Sequence, residues 1–306
     1  MGIFLGINAG GTKTDFVITD GTLMPVYSST APPCNLKKEG IDSALVLLED
    51  ILSGIVASNK IDINEIAGIC AGFAGGGRVN DTENLKLRFQ KLIKEKFGLA
   101  IPVIITTDAL ITLEGAFKGG EGAVLIAGTG SIIYAKDNKD IFYRAGGFGR
   151  IIGDEGSGYS IGRKGLAAAA KFFDSRGKDN LMAKYLKDEF NISSTEGLIK
   201  KVYEENLEPS EFAPHVIAAA AGNDPAAQMI VDEETEELIN HIKAVKNYLG
   251  SNFKLCLSGG IIATDNYFSR RLKNKIGERF PNIEISLPAY SPEIGAVLLL
   301  RKKTGL

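Results

Sequence analysis

The chain has 306 residues, a length typical of two domains that each bury a core of their own. Hydrophobic residues make up 44% of it and charged residues 24%, which is the composition of an ordinary globular protein. The net charge of −2 argues against the basic surface that nucleic acids and anionic membranes attract, so we expect neither as a partner.

The three cysteines, Cys34, Cys70 and Cys256, are far apart and form no CxxC pair. This spacing predicts neither a zinc site nor a disulfide framework, and a reduced, cytoplasmic location is the simplest interpretation. The first residues enter a strand pattern without a cleavage site, and no apolar run approaches 18 residues. We therefore expect neither a signal peptide nor a membrane span.

The first half reads as strands followed by alternating helices and strands. Apolar and turn patterns predict strands at residues 3–7, 16–19, 26–29, 66–70 and 103–107. Apolar residues at helical spacing predict helices at 41–58, 81–97 and 109–118.

The second half repeats that order. Strands are predicted within a hairpin at 123–136 and at 141–143, 255–257 and 284–287, and helices at 166–249, with several breaks, and at 293–303. The charge run at 232–246 is typical of a solvated helix face. His215 and His241 are interpreted as ordinary helix residues.

One stretch occurs twice. GTKTDFVITD (11–20) and GTGSIIYAKD (128–137) align without a gap and share a Gly-Thr pair, a hydroxyl at Thr14 and Ser131, and a final aspartate. An apolar run precedes each, so each predicts a strand, a tight turn and a second strand. A repeat of this kind predicts a duplicated architecture.

Turns of this type direct successive backbone N–H groups at one point and suit an anion such as phosphate. A single such turn is equally typical of a plain hairpin, but two matched turns favour a polyphosphate gripped from both sides. The segment LSGGII (257–262) adds two glycines after a buried strand, where a flat ring could approach the backbone. A structural strand-to-helix turn is the alternative there.

Five segments together carry a family resemblance: NAGGTKTDF, TTDA, AGTGS, GGFGRIIGDEGSGY and LSGGII. In this order they resemble the sugar kinase/actin/Hsp70 ATPase superfamily and, within it, the N-acetylglucosamine kinase branch of the BadF/BadG/BcrA/BcrD ATPase family. The resemblance implies an α/β fold of two duplicated ribonuclease H-like (actin-like ATPase) domains with a cleft between them. The domains would be 1–117 and 118–292, with the last helix, 293–303, packing back on the first.

The resemblance also implies roles for single residues. The nucleotide would be held by Gly10, Gly11, Thr12, Lys13, Thr14, Gly128, Thr129, Gly130, Ser131, Ser258, Gly259 and Gly260. Asp108, at the end of a strand, matches the catalytic base, although its position also suits a helix N-cap. Asn8 stands where many relatives carry an acid that helps to place magnesium, which puts its role as a metal ligand in doubt.

The sugar would contact Asn35, Gly147, Phe148, Asp154 and Asp108. Glu155 either joins these residues or supports their loop. Arg144, Arg150 and Arg163 are interpreted as structural or rim charges rather than as phosphate clamps.

The resulting hypothesis is a kinase that uses ATP and Mg²⁺ to phosphorylate the 6-hydroxyl of an amino sugar. N-acetylglucosamine is the preferred candidate substrate, and we expect a homodimer. Glucosamine, N-acetylmuramic acid or another hexose are alternative substrates. A BadF-type activator ATPase is a further alternative, but it would need clustered cysteines for an iron–sulfur centre. A sugar-responsive regulator would need a helix-turn-helix segment, which this sequence does not show.

Overall fold

The computed structural model describes residues 2–306. The chain divides into two compact units, each built on one five-stranded sheet. The first unit comprises the chain up to Glu121 together with Leu287–Leu306. The second is the continuous segment Gly122–Ser286.

The first unit alternates strands and helices after an initial meander. Its elements up to residue 121 are β1 (Ile3–Ala9), β2 (Thr14–Thr19), β3 (Pro25–Ala31), α1 (Leu36–Ser58), β4 (Ile66–Phe73), α2 (Val79–Phe97), β5 (Val103–Thr107) and α3 (Asp108–Ala116), with a 3₁₀ turn at Ile63–Glu65. Helix α1 begins five residues before the predicted start because Asn35 caps it, and Gly40 interrupts its first turns with a φ of 83°.

The second unit is richer in helices. Its elements are β6 (Gly122–Ala127), β7 (Ser131–Lys136), β8 (Phe142–Gly146), α4 (Gly158–Phe173), α5 (Leu181–Phe190), α6 (Thr195–Ile199), a π-helical turn (Lys200–Glu204), α7 (Pro209–Ala221), α8 (Pro225–Leu249), β9 (Lys254–Ser258), α9 (Tyr267–Arg279) and β10 (Glu284–Ser286). The chain then returns to the first unit with α10 (Pro292–Thr304). No helix within residues 2–306 combines the length and the apolar character that a membrane span requires.

The two sheets have the same topology, which confirms the predicted duplication. The strand orders are β3-β2-β1-β4-β5 and β8-β7-β6-β9-β10. In both, the first two strands of the copy pair antiparallel, and the first strand pairs in parallel with the fourth. The shared topology explains why the sequence motifs recur at matching places.

The gapless alignment of residues 11–20 with 128–137 does not extend back into the preceding strands. Ala9 pairs with Thr14 across the first turn, whereas Ala127 pairs with Ser131 across the second. Four residues therefore lie between the strands in the first copy and three in the second. The alignment holds from the turn onward and slips at the end of the preceding strand.

The first sheet buries both of its faces. Along β1, Ile3, Leu5 and Ile7 belong to a core with residues of α1 and α2, while Phe4 belongs to a second core with residues of α3 and α10. This alternation follows from the two-residue period of a strand. Gly6 lies on the Phe4 face, and a side chain there would overlap the backbone of Glu293, so this glycine lets α10 lie against β1.

The interpretation of 232–246 as a solvated face is wrong for part of the run. Helix α8 buries Glu234, Thr235, Leu238, His241 and Ile242. These positions recur every three or four residues and form one helix face, whereas Asp232, Glu233 and Glu236 lie on the more exposed side. A charge count over the run could not separate the two faces.

Candidate functional site

The turn between β1 and β2 is open and presents unused backbone donors. The N–H of Gly10 donates to the carbonyl of Lys13 at 3.0 Å, which closes the turn. Gly11, Thr12 and Lys13 are exposed, and the described residues provide no acceptor for their backbone N–H groups. Such a row of free N–H groups is what an anion nest requires.

In the turn between β6 and β7, backbone carbonyls accept hydrogen bonds from α4, while two backbone N–H groups have no acceptor within residues 2–306. Gly158 and Tyr159, at the start of α4, donate N–H bonds to the carbonyls of Gly128 at 2.7 Å and Thr129 at 3.2 Å. The N–H groups of Thr129 and Gly130 have no acceptor within residues 2–306. The first turn of α4 therefore holds the turn while leaving its donors available for an anion.

The hydroxyls shared by the two turns point inward. Thr14 donates its hydroxyl to the carbonyl of Pro32 at 2.7 Å, and Ser131 donates to the carbonyl of Glu155 at 2.5 Å. Both residues are buried. In this structure they brace their turns at matching places, and they do not present their hydroxyls to a ligand.

Asp108 is the first residue of α3, directly after β5. The N-cap is Thr107, whose hydroxyl oxygen accepts the N–H of Leu110 at 3.1 Å, so the alternative interpretation of Asp108 as the N-cap is wrong. The Asp108 carboxylate accepts the N–H of Ala109 at 2.8 Å. Burial raises the pKa of this carboxyl, and the backbone donors offset only part of the rise.

Asn35 lies at the same edge of the first sheet as Asp108. Its side-chain oxygen caps α1 by accepting from Lys37 and Lys38, and its amide nitrogen has no partner among the described residues. Asn35 bridges to Ala74, the residue after β4, while Phe73 pairs with Thr107. Asn35 and Asp108 are thus about two strand spacings, roughly 10 Å, apart at the carboxyl ends of parallel strands.

Asn8 lies on β1, where it pairs with Asp15 on β2 and Gly72 on β4. It shares the strand face of Phe4 and Gly6 and is partly exposed. Across the described residues, no group of three His, Cys, Asp or Glu side chains could hold a metal ion.

The loop from 147 to 157 carries the predicted sugar-binding residues of the second unit. Asp154 has a φ of 60°, and its carboxylate lies so close to Gly130 that a side chain there would approach it to 3.0 Å. Gly147 has a φ of 72°, and a side chain at this position would overlap Ile132. Phe148 is exposed beneath the guanidinium of Arg144, which lies 5.4 Å from the ring centre.

The residue that fixes this loop was not among the predicted site residues. Glu234 on α8 is 1% exposed. Its carboxylate accepts the N–H of Gly156 at 2.5 Å and the hydroxyl of Ser160 at 2.8 Å, and it pairs with Lys164 at 2.7 Å. Because it stands within a run of acidic residues, no local pattern distinguishes it from its exposed neighbours.

The glycines after β9 shape a separate cavity. Gly259 has a φ of 93°, and a side chain there would overlap the carbonyl of Ala127. Ser258 pairs with Ile126 and is partly buried. Gly260 is exposed and lines a cavity of about 450 Å³. The other lining residues, which the sequence did not predict, are Pro214, Ile217, Ala218, Ala221, Ile261, Thr264, Asn266, Tyr267 and Arg270.

A five-stranded mixed sheet that occurs twice, with an open glycine turn in each copy, defines the actin-like ATPase fold. A solved structure with the same fold is that of a candidate N-acetylglucosamine kinase from Chromobacterium violaceum, with a TM-score of 0.76, 21% identity and coverage of 98% of this chain and 99% of that one. The model of the BadF/BadG/BcrA/BcrD ATPase family matches residues 5–299, and the chain belongs to this family. The family expected from the five segments is confirmed.

Two curated relatives match over nearly their whole length. The N-acetylmuramic acid/N-acetylglucosamine kinase of Clostridium acetobutylicum is 30% identical over 305 residues, 98% of each chain. The N-acetyl-D-glucosamine kinase of Dictyostelium discoideum is 29% identical over 313 residues, 97% of each chain. Both relatives are amino-sugar kinases by name.

Proposed function

We propose that this protein is an ATP-dependent kinase that transfers the γ-phosphoryl group to the 6-hydroxyl of an amino sugar, with N-acetylglucosamine as the first candidate. The observation that carries the proposal is Asp108, a carboxylate with a raised pKa at the end of a parallel strand, on the same sheet edge as the free amide of Asn35. The activities named for the two curated relatives support it.

Asp108 acts as the general base in this proposal. It accepts the proton of the attacking sugar hydroxyl, so it must be ionised in the active enzyme. Its raised pKa makes it a stronger base than an exposed aspartate, at the cost of a larger protonated fraction in mildly acidic solution. In the first unit, the amide nitrogen of Asn35 donates to a second sugar hydroxyl. In the second unit, considered by itself, the Asp154 carboxylate is a further candidate acceptor for a sugar hydroxyl.

Both glycine turns fit a polyphosphate, because each presents free backbone N–H groups. The cavity lined by Gly260 and Tyr267 fits a purine base in size and apolar character. We assign a nucleotide-binding role to each of these three elements separately. The side chain of Asn266 is occupied, since it donates to Ile261 and accepts from Ser269, and thus the base is held mainly by shape.

Bound MgATP supplies the phosphoryl group and neutralises its developing charge. Since no group of three His, Cys, Asp or Glu side chains among the described residues could hold a metal ion, the metal would be held mainly by the phosphates and water, with Asn8 as a neutral neighbour. The side-chain amide of Asn8 would orient a metal-bound water without adding charge. A homodimer is a further prediction that rests on the family resemblance, and a cytoplasmic location is a prediction that rests on the cysteine pattern.

A phosphorylation screen tests the proposal. Purified protein is incubated with MgATP and glucose, glucosamine, N-acetylglucosamine, N-acetylmannosamine or N-acetylmuramic acid, and ADP and sugar phosphate are measured together. Asp108→Asn should lose about 100- to 10,000-fold in turnover while still binding sugar, since general-base catalysis contributes on the order of 10²–10⁴. Asp50→Asn, the same change at an exposed position of α1, is the matched control and should keep full activity.

Two results would contradict the proposal. ATP hydrolysis that no sugar stimulates, together with bound iron, would favour an activator ATPase. The structure does not favour that outcome, because all three cysteines are buried and burial raises the pKa of both Cys34 and Cys256 to about 11. Near wild-type turnover of Asp108→Asn would reject the assignment of the base.

A further inference from the structure

A second cavity of the second unit, of about 410 Å³, adjoins the loop that carries Asp154. Its lining residues are Arg150, Ile151, Ile152, Gly153, Glu155, Tyr159, Ser160 and Arg163. Gly153 and Glu155 are the immediate neighbours of Asp154, so the cavity begins beside the predicted sugar-binding carboxylate. A substituent on a sugar held by Asp154 would be within reach of it.

The cavity has an excess of positive charge. Arg163 is exposed, and residues 2–306 provide no ion-pair partner for it. Arg150 pairs with Glu208 at 3.4 Å, but both side chains are largely exposed, so the pair contributes little and can be exchanged for a ligand. Two guanidinium groups therefore face one cavity carboxylate, that of Glu155.

Local structure holds both arginines towards the cavity. Tyr159 and Arg163 are four residues apart on α4 and share a helix face. The guanidinium of Arg150 lies 5.7 Å from the centre of the Tyr159 ring, a cation–π distance. Arginine at such a site recognises a carboxylate through two parallel hydrogen bonds, which lysine cannot provide.

The cavity also has an apolar wall that solvent contacts freely. Ile151 is 90% exposed and Ile152 is 76% exposed. Adjacent exposed isoleucines in a loop are unusual for a surface that contacts only water. A ligand that combines a carboxylate with a methyl group would satisfy both the arginines and this wall.

We propose that this cavity binds the carboxylate of an acidic substituent on the amino sugar, such as an ether-linked lactate, and that Arg163 and Arg150 extend the substrate range to carboxylate-bearing amino sugars. The proposal rests on the proposed sugar-kinase function and adds the subsite that selects among amino sugars. Arg163 is the principal contact because its charge is unpaired, and Arg150 is the second. Glu155, beside them, accepts from the sugar hydroxyls and keeps the cavity from binding anions that lack a sugar.

The test compares two sugars across three proteins. KM is measured for N-acetylglucosamine and for N-acetylmuramic acid with the wild type, Arg163→Gln and Lys171→Gln. We expect Arg163→Gln to raise the KM for N-acetylmuramic acid at least about tenfold, equivalent to about 1.4 kcal/mol, and to leave that for N-acetylglucosamine within twofold. Lys171→Gln removes an equal charge from the same helix outside the cavity and should change neither value.

A neutral analogue checks the role of the charge. The amide of the lactyl group keeps the shape of N-acetylmuramic acid but lacks its charge, so the wild type should bind the amide more weakly than the acid. This difference in affinity should be smaller in Arg163→Gln, which retains only Arg150. Equal binding of acid and amide by the wild type, or equal losses for both sugars in Arg163→Gln, would overturn the proposal.

Binding is also measured by calorimetry without ATP, so that turnover is not required. If neither sugar is phosphorylated but N-acetylmuramic acid binds and loses affinity in Arg163→Gln, the carboxylate subsite stands and the kinase function fails. If N-acetylglucosamine is phosphorylated while N-acetylmuramic acid neither binds nor reacts, the kinase function stands and the subsite fails.

Discussion

At the scale of single residues, the raised pKa of Asp108 bears on both the proposed catalysis and the stability of the fold. Its carboxyl has a raised pKa in the folded protein, so the folded state binds its proton more tightly than the unfolded state does. The contribution of this group to stability is therefore fully present below the unfolded pKa and is lost as the pH rises through the folded pKa. At neutral pH the ionised carboxylate destabilises the protein that uses it.

Asp108→Asn should accordingly be more stable than the wild type at pH 7, and the difference should shrink towards zero as the pH falls to about 4. Urea unfolding followed by circular dichroism between pH 4 and pH 8 measures this. Asp232→Asn is the opposite-sign control, because Arg271 lowers the pKa of Asp232. Asp232→Asn should be less stable than the wild type at pH 7, and its free energy of unfolding should approach that of the wild type as the pH falls. A difference in stability between Asp108→Asn and the wild type that does not vary with pH would contradict the raised pKa of Asp108.

Glu234 supports a second residue-scale prediction. Glu234→Gln keeps the size of the side chain but weakens three contacts, with Gly156, Ser160 and Lys164. Hydrogen bonds to a charged group contribute about 2 kcal/mol, so we expect a loss of this order in the free energy of unfolding. We also expect the KM for sugar to rise more than kcat falls, because the loop that carries Asp154 loses its anchor.

The neighbouring Glu233→Gln is the control for that change, since Glu233 is exposed and pairs only with Lys164. It should leave both the stability and the KM close to those of the wild type. A Glu234→Gln protein that is less stable but has an unaltered KM would show that the loop does not depend on this anchor.

Residue types predicted some positions of the candidate site and not others. Asp108 was predictable because a carboxylate directly after a buried strand is visible in the sequence. The inward direction of the Thr14 and Ser131 hydroxyls was not, since their acceptors are 18 and 24 residues away. The burial of Glu234 was equally hidden, because it depends on contacts with a loop 74–78 residues away.

At the scale of elements, the turn after β9 depends on one glycine more than on its neighbour. Gly259 has a φ of 93°, where a side chain costs about 1–2 kcal/mol from backbone strain alone and would also overlap Ala127. Gly260 has open space around it. Gly259→Ala should therefore lower the unfolding midpoint and the affinity for ATP, whereas Gly260→Ala should fold normally. Equal unfolding midpoints for Gly259→Ala and Gly260→Ala would contradict the positive φ and close packing at Gly259.

Strands and helices were predicted where their periodicity was clear. The meander β1–β3, the hairpin β6–β7 and the strands before each glycine cluster were expected close to their observed positions. The start of α1 was missed because its cap, Asn35, lies beyond the apolar pattern and follows two prolines. The one-residue slip between the turns was missed because glycine-rich loops leave no pattern that fixes a register.

At the scale of the whole molecule, α10 completes the first unit. It packs on β1, β4 and α3, and it buries Val297, Leu299 and Leu300 with Phe4 and Ile111. Burial of a large apolar side chain contributes about 1.5–3 kcal/mol, so these three residues together are comparable with the total stability of a domain.

A chain shortened to end at Ser291 should lose this contribution. Hydrogen exchange should show β1 and β4 unprotected while β6 and β9 remain protected, because the second unit keeps all its elements. A chain that ends at Thr304 is the control, since it retains the whole of α10. Uniform loss of protection in both sheets would show that the second unit cannot fold without the first.

The position of α10 has a consequence for synthesis on the ribosome. The first unit is translated first but receives its closing helix last, whereas the second unit is complete once Ser286 has been made. The order in which the units mature is thus the reverse of their order in the gene. Until α10 has been translated, α3 covers the Phe4 and Cys70 face of the first sheet only in part, and the exposed apolar surface favours aggregation of the nascent chain.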